Sequence, residues 1–479
     1  MAAGRALFAF PSAAGHINPS LPLCRRLVDL GWEVVYLGIP EFRDAIAAAG
    51  GSFSDLNELG KEFGIEDVRG MIVGTLADYG PDARAWALNF GSIALQKLLP
   101  MYISFLQRLA PQLVVYCPVL SQVAHLAAEH LKIPDVSLLT AAGPGYWDAA
   151  FAAHGGSAES LVAAIKLNSA NSAAVEGVRS VLNRPELSLN TAEPLVNDYY
   201  TTVNLATTVP FLADKLNEKD ASFYESAGKK FEFVGPLLAP ELAGSEPLGA
   251  TERSTELLGR IDAAILQGQE VLYVSMGTVL TSSHADFGWA GTAGSAITGK
   301  EMCHAIFRCL FGELASTQLM NPAPLIIVST GSQPDALEGI EVPTNAFCAP
   351  SLPQVEVLRR AKAALFVTHA GQNSFMESLS VGTPVLCCPG FGDQLATAAK
   401  AESLGLGLKV DRPAKEEGAS GEALAGYEAA IVRNLHRMLG SERPKFTRAA
   451  QLVAKELAEA GGVEKALRAC LRAAEVGKA

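Results

Sequence analysis

The chain has 479 residues, 49 % of them hydrophobic and 18 % charged, with a formal net charge of −12 at pH 7. That length is too great for one hydrophobic core and suits two domains of ordinary size, while the acidic balance argues against nucleic acid or an anionic membrane surface as partner. The eight cysteines, at 24, 117, 303, 309, 348, 387, 388 and 470, contain no C-x-x-C pair and read as thiols of a reducing compartment, not as a disulfide frame or a zinc site.

Ala6–Phe10 is a short apolar run ahead of Pro11. It is too short for the apolar region of a signal peptide and suits a first strand, so a cytoplasmic protein is expected. No apolar run approaches the roughly 18 residues of a membrane span. The segment PSAAGHINPS leads into Leu21–Gly31, whose apolar residues fall at 21, 23, 24, 27, 28 and 30. This predicts a helix with Asn18 as N-cap, Pro19 at its first position and Gly31 as stop, which puts His16 in the loop just ahead of it. Strands are expected at Glu33–Leu37, Leu113–Tyr116, Asp135–Leu139, Thr202–Thr207 and Phe231–Val234, with a helix over Ser121–Leu131. Strands alternating with helices make a parallel, doubly wound sheet. Gly60–Pro100 and Ala141–Tyr200 lack a strand pattern and hold Trp86, Phe90, Tyr146, Trp147 and Phe151 among small residues.

Gly235–Ser254, rich in Pro, Gly, Ala and Glu, reads as a linker. The pattern then repeats, with strands expected at Val271–Ser275, Leu325–Val328, Asn345–Cys348, Ala364–Thr368, Val385–Cys388 and Leu406–Val410. Two α/β Rossmann-like domains, 1–240 and 255–445, are therefore expected, with ligands at the carboxyl ends of the strands and hence in an interdomain cleft; 446–479 reads as a helical tail. The loop after Thr278 is long, and its Gly/Ala/Ser-rich part, Ser282–Lys300, carries His284 and Trp289. It reads as a floppy insertion or a functional lid.

The most informative stretch is Pro350–Val410. The buried-type run Ala364–Thr368 stops at His369-Ala370-Gly371, and Ser374 with Glu377 has the spacing of a capping box, so a helix is expected to start at Ser374. A strand, a small-residue turn and a helix N-terminus leave backbone N–H groups and a positive dipole end facing one spot. His369 and Asn373 flank that spot, which suits phosphate. Ser275, Gly277 and Thr278 of VSMGT are expected to add to the same cradle. Asp393 and Gln394 follow as side chains suited to polyol hydroxyls. A phosphate cradle followed by a sugar grip points to a nucleotide sugar.

Gln354, the His369–Ser374 turn, Glu377 and Asp393–Gln394 resemble the donor-binding signature of the UDP-dependent small-molecule (natural-product) glycosyltransferases, a GT-B-fold family. The resemblance implies two Rossmann-like doubly wound domains, an N-terminal one for the acceptor and a C-terminal one for the nucleotide sugar, with the last helix crossing back to the first. It implies that His369 contacts the β-phosphate, that Asn373 and Ser374 contact the α-phosphate, that Glu377 contacts the ribose hydroxyls, that Gln354 lies on the base side, and that Asp393 and Gln394 contact the sugar, with Gly371 among the donor-binding residues of the turn. The aromatic-bearing stretches of the first half become acceptor walls.

Inverting transfer needs a base for the acceptor hydroxyl and dipoles or positive charge for the departing diphosphate. His16, in a matching F-x-x-x-G-H-x-N-P pattern, is the candidate base. Two positions depart from the family. Cys117 stands where an aspartate usually supports that histidine, leaving Asp148 or Asp198 as substitutes or His16 acting alone on an acidic hydroxyl such as a phenol. Ser351 stands where an aromatic residue usually stacks on uracil. No Asp-x-Asp pair occurs, so no metal and no cofactor beyond the sugar-donor co-substrate is expected. A metal-independent hexosyltransferase using UDP-glucose on a small lipophilic acceptor is the leading expectation. A dTDP-deoxysugar enzyme and a nucleotide-sugar-binding protein without transfer activity stay open.

Overall fold

The computed structural model describes residues 3–80, 86–153, 158–238, 252–315, 319–415 and 420–476; the linker read at 235–254 lies mostly outside them. The chain divides into two compact units, Met1–Ala239 with Ala460–Ala479, and Pro240–Glu459.

The first unit is built on a seven-stranded sheet. Its strands are β1 (Gly4–Ala9), β2 (Trp32–Gly38), β3 (Ser52–Asp55), β4 (Leu113–Tyr116), β5 (Asp135–Leu139), β6 (Val203–Ala206) and β7 (Lys230–Phe233), in the order β3-β2-β1-β4-β5-β6-β7. Every pairing is parallel. Helices cover both faces, so the central strands need apolar residues at successive positions, and alternate ones serve opposite cores. Phe8, Val34 and Leu113 join the core that holds Leu27 and Leu467. Leu7, Leu37 and Val114 join the core that holds Leu99 and Leu106 of the helix Ser92–Leu109. The edge strand β3, Ser-Phe-Ser-Asp, is not fully buried at any position and lacks the apolar run that marks the central strands.

The second unit carries β8 (Val271–Ser275), β9 (Leu325–Ser329), β10 (Ala346–Ala349), β11 (Leu365–Thr368), β12 (Val385–Cys387) and β13 (Gly407–Lys409), in the order β10-β9-β8-β11-β12-β13, again all parallel. One core packs β8, β9 and β11 against the helix Gly299–Leu314, which starts on a capping box formed by Thr298 and Glu301. In both sheets the strand order reverses direction between the first strand and the fourth, at β1/β4 and at β8/β11. Loops leaving the carboxyl ends at such a reversal diverge and open a crevice where ligands bind.

The helix Gly462–Val476 packs against β4, β5 and β6 of the first unit. Val463, Ala466, Leu467 and Cys470 sit in its core, and Lys465 Nζ donates to the Phe233 carbonyl at 2.6 Å. Leu467 is 4 % exposed, so Leu467→Ala should cost about 2–5 kcal/mol through lost burial and a residual cavity. Denaturant unfolding should show a lowered midpoint for the transition that reports the first unit; an unchanged midpoint contradicts this packing.

Candidate functional site

At the reversal point of the second sheet, Thr368 of β11 lies in register with Ser275 of β8. The turns that follow the two strands therefore emerge side by side. Gly277 has φ +77° and Ala370 φ +64°, both in the left-handed region that bends a chain sharply after a strand. Between the turns sits the His369 ring. A Cβ on Gly277 would come within 2.5 Å of it, and one on Gly371 within 2.4 Å of Nε2. Only glycine fits at either place. The ring is hydrogen-bonded at the Ser275 backbone, and burial pushes its pKa down to about 4, so it is neutral at ordinary pH.

The helix expected to start at Ser374 instead runs over Gln372–Ser380, with Gly371 in extended conformation as its N-cap and no side-chain cap bond. The left-handed Ala370 and extended Gly371 break the chain earlier than the Ser-x-x-Glu spacing suggests. The capping box does not form, and Ser374 and Glu377 are free for another arrangement. Gln354, first residue of the helix Gln354–Ala361, donates from Nε2 to Ser374 Oγ at 3.0 Å and to Glu377 Oε2 at 2.6 Å. Burial pushes the Glu377 carboxyl up to about 7, with the Gln354 bond opposing it. Asn373 is half-buried in the first turn of the same helix.

After β12 the chain makes a second turn. Gln394 Oε1 accepts the Gly390 N–H at 2.9 Å and the Phe391 N–H at 3.3 Å, and Gln394 begins the helix Gln394–Ser403. Asp393, half-buried, is that helix's N-cap but makes no side-chain cap bond. The singled-out residues thus form three groups on neighbouring strand ends: His369 with Ser275, Gly277 and Gly371; Gln354 with Ser374 and Glu377; and the turn clipped by Gln394. Thr278 and Ser351 are exposed.

The insertion after β8 is packed, neither floppy nor an open lid. Trp289 is 6 % exposed in the core of the second unit, and its backbone N–H donates to the Ser282 carbonyl at 2.8 Å.

In the first unit His16 lies on a one-turn helix, Ala14–Ile17, and not in a loop. Asn18 is helical, continuing into the 3₁₀ turn Asn18–Ser20, so it caps nothing; the helix Leu21–Asp29 follows with no side-chain cap. His16 Nδ1 faces Thr140 Oγ1 at 3.0 Å and Cys117 Sγ at 3.3 Å. Both residues directly follow strands, β5 and β4. Thr140 was not singled out from sequence, although its place one residue after a buried strand beside β4 was the signal available. Burial pushes His16 down to about 4 and the Cys117 thiol up to about 12. Neither substitute acid reaches this ring. Asp148 accepts from Asn217 at 3.1 Å, and Asp198 from the Ser188 and Leu189 N–H groups at 2.6 and 2.8 Å. Thr140 Oγ can accept Nδ1–H, which leaves the Nε2 lone pair as the base.

The aromatic residues of the two strandless stretches cluster: Trp147 lies 4.5 Å from Phe90 and 4.4 Å from Tyr146, and Trp86 4.5 Å from Phe151, by ring centroids. Beside them is a cavity of about 400 Å³ lined by Pro144, Trp147, Phe151, Leu195, Asp148 and Asp220, among others. Among the described residues, no group of three or more His, Cys, Asp or Glu could hold a metal ion, and no helix is long and apolar enough to cross a membrane.

Residues 311–419 match the family model described as UDP-glucoronosyl and UDP-glucosyl transferase. The chain is 23 % identical over 475 residues to an uncharacterized UDP-glucosyltransferase, YojK, of Bacillus subtilis (strain 168), covering 98 % of this chain and 96 % of that protein. It is 24 % identical over 462 residues to the NDP-glycosyltransferase YjiC of the same organism, covering 95 % and 93 %. The solved structure of the glycotransferase of kitacinnamycin superposes with a TM-score of 0.62 at 21 % identity, over 98 % of this chain and 99 % of that one, and so shares its fold. With the signature residues assembled on the β8, β11 and β12 ends, residues 311–419 carry the domain of that family, and the chain as a whole is similar to small-molecule UDP-glucosyl/NDP-sugar glycosyltransferases and shares the GT-B fold.

Proposed function

We propose that the chain is an inverting, metal-independent glycosyltransferase that moves a hexose from a nucleotide sugar, UDP-glucose first, to a hydroxyl of a small lipophilic acceptor. The observation that carries this reading is the neutral His369 ring held between two glycines at the β8/β11 reversal, with the Gln354–Ser374–Glu377 group on the adjoining helix. His369, Gly371, Asn373 and Ser374, with the Ser275–Thr278 turn, receive the diphosphate through N–H groups and the helix dipole. No lysine or arginine stands among these residues, so the departing diphosphate is stabilised by dipoles. Glu377 takes the ribose hydroxyls, Gln354 lies toward the base, and Asp393 with Gln394 takes the sugar. The acceptor binds in the first unit, where His16 removes its proton. The exposed Ser351 makes dTDP-sugars the second reading, which a donor comparison separates. The eight cysteines, all free thiols, suit a cytoplasmic setting.

Among the described residues His16 has no carboxylate partner, so the imidazolium formed during transfer lacks a counter-charge and the base is weak. Such a base matches acceptors that are themselves acidic, phenols above aliphatic alcohols. His16→Ala should lower turnover by roughly 10²–10⁴-fold. Because the folded pKa is about 4, the base stays unprotonated as pH falls, and kcat/KM for the acceptor, measured at saturating donor, should hold between about pH 7 and 5, where an ordinary histidine with pKa near 6.5 would be lost. An acid limb near 6.5 in the kcat/KM profile of the wild type, absent from His16→Ala, contradicts the buried, unsupported base.

Glu377 titrates in the opposite sense, raised to about 7 in the free protein. Ribose hydroxyls donate to its ionised form, so only that fraction is competent. Nucleotide affinity should rise roughly tenfold from about pH 6 to about pH 8, following that fraction. Calorimetric titration of UDP across this range should show the rise in wild type and a flat profile in Glu377→Gln. A flat wild-type profile removes Glu377 from the ribose.

A further inference from the structure

The insertion after β8 touches the turn that carries the sugar-binding candidates, and the contact is specific. Phe287, half-buried, lays its ring against that of Phe391, with centroids 4.8 Å apart and planes 30° from parallel. Phe391 is inside the turn that Gln394 clips and lies two residues before Asp393.

The segment presenting Phe287 is held at several points. Thr281 Oγ1 donates to the Gly277 carbonyl at 2.8 Å, tying the start of the insertion to the glycine beside His369. The Phe287 N–H donates to His284 Nδ1 at 3.3 Å, and the Gly288 N–H to the His284 carbonyl at 2.9 Å. Two residues on, Trp289 is anchored in the core with Leu280, Ile297 and Met302. The far end is pinned by Arg412, whose Nη2 donates to the Gly291 and Ile297 carbonyls at 2.9 and 2.6 Å while Nη1 reaches the Gly390 carbonyl at 3.4 Å. One half-buried guanidinium thereby joins the insertion to the turn after β12. Leu280 closes the same seam: a Cβ on Gly390 would meet its Cδ1 at 3.3 Å.

A loop tied at both ends and weighted in the middle by a buried indole has already lost its conformational entropy, so a ring it presents is a fixed surface. The turn opposite bends sharply at Gly392, φ +64°, and both the Gln394 clip and the insertion's contacts at Phe287, Arg412 and Leu280 hold it.

We propose that Phe287 is a positioning residue for the sugar end of the donor site: its ring holds the Gly390–Asp393 turn so that Asp393 and Gln394 meet the sugar hydroxyls in one geometry. This rests on the nucleotide-sugar reading above. It assigns the insertion to recognition of the sugar and not of the nucleotide, because the ring touches the β12 turn and not the Gln354–Glu377 group. Selectivity among hexoses that differ in one hydroxyl should then depend on a residue outside the donor signature.

The test separates sugar from nucleotide. UDP, dTDP, UDP-glucose and dTDP-glucose are titrated calorimetrically into the full chain, as wild type, Phe287→Ala, Phe287→Leu and Phe287→Tyr. A ring pair is worth a factor of about 2 to 12 in an equilibrium constant. The dissociation constant of the preferred sugar nucleotide should rise by that factor in Phe287→Ala, while that of the matching free nucleotide stays within about twofold. Phe287→Tyr keeps the ring and should match wild type. Phe287→Leu keeps bulk without the ring; it should shift the same way and carries the test if the alanine variant does not fold. Equal weakening of nucleotide and sugar nucleotide, or no change in either, overturns the assignment while leaving the nucleotide-sugar reading intact. Failure of the wild type to bind either free nucleotide removes that reading, and this inference with it.

Discussion

The donor-side arrangement depends on one pairing, that of β8 with β11. Thr368 and Ser275 lie in register at the ends of these strands, and everything that follows either residue is forced into the same small volume. The chain must turn at once on both sides, which the left-handed Gly277 and Ala370 allow. An imidazole fills the gap because no side chain competes for it at 277 or 371. Under the proposed reading, a diphosphate would be received here by N–H groups, which strand-end turns beside a helix N-terminus supply without adding a cation.

The same topology places His16 at the reversal of the other sheet, beside residues that follow β4 and β5. The consequence differs because the neighbours differ. Thr140 and Cys117 orient the ring but hold no charge at neutral pH, since burial keeps the thiol protonated. Orientation and charge compensation, which one carboxylate usually supplies together, are separated here, and only the first is present.

Most strands were legible because buried parallel strands are continuous apolar runs, and all six read in the second half fall within a residue or two of those observed. The edge strand β3 was not legible: with one face wet and four residues, Ser52–Asp55 looks like loop. Helix starts were misread at Asn18 and Ser374 for a shared reason. A capping side chain is a local signal, and in both places the backbone break was set elsewhere, by the one-turn helix at Ala14–Ile17 and by the turn at Ala370-Gly371. The residues read as donor-binding candidates were legible as a spatial group because they are close in sequence. Thr140 was not, since its partner is 124 positions away and only the sheet brings them together. The insertion misled by composition: its small residues permit close backbone packing around Trp289, which a count of glycines and alanines cannot tell from looseness.

The helix Gly462–Val476 belongs to the first unit, yet it follows the whole of Pro240–Glu459 in the chain. On a ribosome adding about 5–20 residues per second, that intervening stretch takes roughly 10–45 s to make. During that time the core that receives Leu467 and Cys470 lacks this helix. The second unit can finish folding first, and the nascent first unit waits with an apolar groove open to solvent. Chaperone dependence during synthesis, and rescue of a truncated chain by the missing helix supplied separately, are properties to expect of such an arrangement.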